Sequence, residues 1–164
     1  MCVTSLCTRG APDAWSRGRS TAALGAKVEH IAFVVPNEER FHALHRAFQS
    51  LAEAKRSDAW HDDGYWEQQF DPQSLGYFWN PTPEEVEAAV ARWRDNPKTP
   101  LRWLFGSMID AFRNGDYELL SCTFEAPNRG RLEFSPNGHP SGGTGCMVAL
   151  LEAFGCTNIT THGA

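Results

Sequence analysis

The 164-residue chain has no apolar run near the ~20 residues a membrane helix needs. Its first residues, MCVTSLCTRG, lack a positively charged start followed by an apolar stretch, so a secretory signal is not expected there. No C-x-x-C pair occurs, and the cysteine count of five is odd, so neither a disulfide framework nor a zinc ribbon is indicated. No H-E-x-x-H is present either. Positive charge is scarce. The formal net charge is −5, and nucleic acid or an anionic membrane would require clustered Lys and Arg. Arg17-Gly18-Arg19 and Arg129-Gly130-Arg131 are short and extend into no patch.

What charge there is lies unevenly. Residues 1–27 carry Arg9, Arg17, Arg19 and Lys27 against Asp13, a net of +3, whereas the remainder holds 11 basic and 19 acidic side chains. The expectation is a mobile lead-in over residues 1–27 and one globular domain over residues 28–164. Reduced thiols suit a cytoplasmic setting, in which the sequon Asn158-Ile159-Thr160 has no consequence.

The pattern from Val28 to Val35 predicts a buried strand. Asn37 then caps a helix running to about Arg56, with Phe41, Leu44, Phe48 and Leu51 on one apolar face. Residues 65–70 read as a short strand. The clearest helix start is Thr82-Pro83-Glu84-Glu85, a capping box with proline at the first helical position. Val86, Ala89, Val90 and Trp93 are expected to line its buried face. A second helix is predicted from Thr99-Pro100 to a left-handed cap at Asn114-Gly115, forming an antiparallel pair with the first. Residues 117–124 and 131–134 read as a hairpin, residues 146–154 as a short helix closed by Gly155, and residues 157–161 as a last strand. The order β-α-(β)-α-α-β-β-α-β predicts an α+β fold, a small, mostly antiparallel sheet packed against helices in a single-domain two-layer sandwich.

The segment His139-Pro140-Ser141-Gly142-Gly143-Thr144-Gly145-Cys146 enters a helix. A glycine-rich loop there leaves backbone N–H groups unpaired beside the positive end of the dipole, so Gly142, Gly143, Thr144 and Gly145 form a candidate anion site. The same position favours a thiolate. Cys146 is therefore a candidate nucleophile with His139 or His162 as base, in a thiol-dependent hydrolase or transferase. The competing structural reading carries more weight: the glycines make a tight turn, Thr144 caps it, and Cys146 fills core space.

Other candidates are weaker. His42 and His45 stand three apart, where imidazoles can share a metal, with His61-Asp62-Asp63 beyond. Neither H-E-x-x-H nor the paired E-x-x-H of di-iron bundles occurs, however, and neither a metal nor a cofactor is expected. Once Met1 is removed, Cys2 could act as nucleophile with its own α-amine as base. The chain is too short, however, and its predicted strands too few for the four-layer fold of the amidohydrolases that use this device. The six tryptophans point elsewhere. Trp60, Trp66 and Trp79, set among acidic residues, are candidate partner contacts. The functional expectation is a small acidic, non-catalytic cytoplasmic domain, immunity- or regulator-like, that binds a protein partner or a small anion.

Overall fold

The computed structural model describes residues 27–99, 101–125, 127–137 and 143–162. The lead-in up to residue 26 lies outside them. Strand β1 (Glu29–Val34) is followed by helices α1 (Glu38–Ser57), α2 (Asp63–Gln68), α3 (Pro72–Leu75), α4 (Pro83–Asp95) and α5 (Phe105–Asn114). The chain then forms strands β2 (Tyr117–Glu125) and β3 (Arg129–Pro136), helix α6 (Gly145–Ala153) and strand β4 (Thr157–His162). The four strands make one sheet in the order β2-β3-β1-β4, with every pairing antiparallel. The fold is α+β. No described helix is long and apolar enough to cross a membrane.

Alternation in β1 places Ile31 and Phe33 on the inner face, beside Leu132 and Phe134 of β3 and Tyr117 of β2. In β2 the buried residues Leu119 and Cys122 are three apart, which strict alternation forbids. A bulge between Leu119 and Ser121 resolves it: Leu119 pairs with Phe134 and Cys122 with Leu132, so both face the core. Phe33 lies across the strands from Gly130, and any side chain there would collide with its ring.

Helix α1 packs on β2 through Phe41, Leu44, Phe48 and Leu51, as its sequence stripe requires. Asn37 accepts from the Arg40 amide at 2.9 Å. Helix α6 is apolar all round and accordingly buried, between α5 and β4. The hydrophobic core is continuous across these elements.

Several sequence expectations are corrected. Residues 63–68 form a helix rather than a strand, because Asp62 caps it, accepting from Tyr65 N at 3.0 Å. Trp66 and Phe70 are both buried, Trp66 beside Trp60 and Tyr65 and Phe70 beside Phe78, Phe105 and Phe154. Helix α5 starts at Phe105, not Thr99. Residues 101–104 run extended beside 77–79, held by Trp79 N donating to Trp103 O at 2.9 Å. Gly115 is extended at φ −66°, not left-handed, since Lys55 Nζ caps the helix end by donating to Phe112 O (2.8 Å) and Gly115 O (2.7 Å). Thr144 makes no side-chain cap bond to α6. Finally, α4 keeps its capping box but does not pack along α5, and of its expected buried face only Ala89 is buried.

Candidate functional site

Cys146 sits in the first turn of α6 with 1% of its surface exposed. Its thiol shares a hydrogen bond with the Tyr117 hydroxyl (3.1 Å) and donates to Gly143 O (3.3 Å). Burial pushes the thiol above its ordinary value. The Tyr117 hydroxyl, the amides of Met147 and Cys146 and the Lys55 ammonium oppose this without overcoming it. Lys55 Nζ lies 4.6 Å from the centre of the Tyr117 ring, and burial lowers its own proton affinity. Tyr117 is in turn pushed up by burial and by the neighbouring sulfur.

The thiol therefore sits in a small polar cluster of buried Cys146 and Tyr117 with half-buried Lys55. Such a cluster holds a protonated sulfur, and the attacking species in thiol chemistry is the thiolate. Of the two proposed bases, only His162 falls among the described residues, and it is not placed beside the thiol. His139 lies outside the described residues. His162 stacks on His30 at 4.9 Å, and His30 points to the sheet face opposite Ile31, whereas Tyr117 and Cys146 belong to the core side. Of the glycine loop, Gly142 lies outside the described residues. Gly143 is in the left-handed region at φ +72°, Thr144 is half-buried, and Gly145 lies against the Trp103 ring.

The two cluster members missed in the sequence differ in legibility. Phe41, Leu44, Phe48 and Leu51 continue at helical spacing into Lys55, and a lysine on a buried stripe is a signal. Tyr117 offered no comparable sign. Its meeting with Cys146 joins residues 29 positions apart.

The histidines of α1, and His61 after it, are accounted for locally. His42 approaches Glu38 at 3.5 Å, His45 stacks on Phe41, and His61 packs against Tyr65. Among the described residues, no three His, Cys, Asp or Glu side chains group so as to hold a metal ion.

The three tryptophans separate. Trp66 is wholly buried, with its indole donating to His61 O at 3.2 Å, so it offers no contact surface; the expectation for this residue is corrected. Trp60 is half-buried against it. Trp79 is half-buried and helps to line an open groove of about 400 Å³ with Ala88, Ala89, Arg92, Leu101 and Arg102. Beside this groove α4 exposes Val86 (39%) and Trp93 (44%), with Val90 half-buried between them. These three residues follow the i, i+4, i+7 spacing of one helix face. Leu101 is also exposed.

Compared with protein-family models, curated proteins and solved structures, the chain matches none.

Proposed function

We propose that this chain is a non-catalytic binding domain that engages a protein partner through α4 and the groove beside it. One observation carries the reading: an amphipathic helix with a strong cap leaves Val86 and Trp93 exposed instead of burying them in its own core. Contiguous apolar surface on a soluble domain marks an interaction site, and tryptophan is a frequent anchor of such sites. Trp79 and Leu101 extend the apolar area, while Arg92, Arg102 and Glu85 supply a polar rim. An immunity- or regulator-like role in the cytoplasm agrees with the free thiols Cys122, Cys146 and Cys156. Binding of a small anion at the glycine loop has less support, because the Cys146 sulfur already faces the first amides of α6.

A photo-crosslinking residue at position 86, with Trp93 retained, tests the reading. The expected result is a discrete crosslinked species, absent when the same residue replaces the exposed Glu118. Equal, diffuse crosslinking from both positions would overturn it.

The alternative, a thiol-dependent hydrolase or transferase, rests on Cys146 at a helix start beside Tyr117 and Lys55. Its burial and raised proton affinity weigh against it. Alkylation of the native protein decides between the two.

A further inference from the structure

Resting on the reading of α4 as a docking face, we propose that its partner is a second copy of this chain, bound with the two α4 helices antiparallel about a two-fold axis. The charge pattern of the helix points to this occupant. Glu84, Glu85 and Glu87 occupy its first half, and Arg92 and Arg94 its second, with Asp95 following. Successive residues are rotated by about 100°, so Val86, Val90 and Trp93 form one stripe and Glu87 and Arg94 share one flank of it. Glu85 and Arg92 lie together on the other flank.

Antiparallel pairing about an axis between Ala89 and Val90 sets Val86 against the second copy's Trp93, and Val90 near the axis. On one flank Glu87 then meets Arg94 of the other copy. On the other, Glu85 meets Arg92. Every contact occurs twice, as an isologous interface requires. Opposed helix dipoles add to the fit. A parallel arrangement would instead bring opposite flanks together at equal heights, setting Glu87 near the other copy's Glu85 and Arg94 near its Arg92, so the charges select one orientation. A single helix pair with an apolar strip of this size is a small interface, so association is reversible and concentration-dependent.

The test is sedimentation velocity on the full chain over about 5 to 500 µM, a range in which a small interface populates a dimer. The wild type is expected to shift from monomer to dimer. Glu87→Arg and Arg94→Glu should each weaken self-association by about fivefold or more, since each places like charges together at two symmetric positions. An equimolar mixture of the two single variants should recover dimer as a heterodimer, and the E87R/R94E double variant should recover the homodimer. Circular dichroism spectra that match the wild type would show that the variants retain the fold. A wild type that stays monomeric throughout overturns the proposal, as does self-association that both single variants leave unchanged or a mixture that fails to recover. Crosslinking at position 86 separates the two levels: a species of twice the chain mass supports this pairing. A heterologous adduct overturns it and leaves the docking face standing.

Discussion

The Tyr117 hydroxyl lies 3.1 Å from Cys146 Sγ, and neither group reaches solvent to any useful extent. The contact ties the start of α6 to β2, while Lys55 from α1 lies over the Tyr117 ring. A thiol in this position is expected to resist alkylation in the native protein. Cys146 should react only when the protein unfolds, together with Cys122 and Cys156, as followed by peptide mass after timed labelling. Rapid native labelling of Cys146, with an apparent pKa below the free value of ~8.5, would restore the thiol-enzyme reading.

The same burial predicts a loss of stability in alkali. Burial pushes Cys122 and Cys156 up to about 12, and Cys146 moves in the same direction. A folded-state pKa above the unfolded one means that the unfolded chain releases its proton first. The contribution is therefore intact below about pH 8.5 and is lost progressively as pH rises toward the folded values. Urea midpoints should fall between about pH 8.5 and pH 10, and Cys122→Ala should reduce the slope in that interval. A flat profile would contradict the buried placement of the thiols.

Arg40 gathers three elements. Its guanidinium pairs with Asp71 at 2.9 Å, donates to Ser74 Oγ at 2.8 Å and to Phe154 O at 3.3 Å, and stacks over the Phe154 ring. Arg40→Met should cost about 1–3 kcal/mol in denaturant unfolding, because Asp71 and the carbonyls of Phe154 and Ala153 lose their donor in a part-buried site. Burial raises the Asp71 pKa, but the Ser74 amide and hydroxyl and Arg40 outweigh it, and the net shift is downward. Its stabilisation is thus present above the unfolded value near ~3.9 and is lost as pH falls through the lower folded value. Asp71→Asn should flatten the acid limb of the stability profile.

Trp66 and Trp93 should respond oppositely to truncation. Trp66 is wholly enclosed, and Trp66→Ala is expected to cost about 3–5 kcal/mol through the cavity it leaves. Trp93→Ala removes an exposed ring and should change stability by no more than about 0.5 kcal/mol. Equal losses in thermal unfolding would mean that α4 packs its apolar face.

Gly115 precedes the buried Tyr117 ring by two residues, and a methyl group at position 115 would fall inside that ring. Its backbone is at φ −66°, which any residue adopts, so the cost of Gly115→Ala is steric alone. Tyr117 is held by the core and by Lys55, and the expected loss is about 1–3 kcal/mol, read from the urea midpoint. A neutral substitution would show that Tyr117 can move aside.

Local chemistry made much of the fold legible. The Asn37 cap, the Thr82–Glu85 capping box, the apolar stripe of α1 and the β2–β3 hairpin depend on residues within a few positions of one another. The failures share a cause. Residues 65–70 are aromatic enough for a strand, but the cap at Asp62 starts a helix there that buries Trp66. The end of α5 looked like a glycine cap because Asn114-Gly115 fits one. Lys55, 60 residues before Gly115, supplies the donor instead.

The sequence by itself determined which segments are helices with strong starts, where the apolar faces lie and that the sheet is mostly antiparallel, because these follow from periodicity and capping over a turn or two. Only the tertiary structure decided which faces are covered. Periodicity reports that α4 has an apolar side but not whether anything packs on it, and it cannot bring Tyr117 to Cys146 or set Lys55 over the Tyr117 ring. Burial belongs to distant neighbours in space, and in this fold those neighbours enclose the thiol and leave Trp93 in contact with solvent.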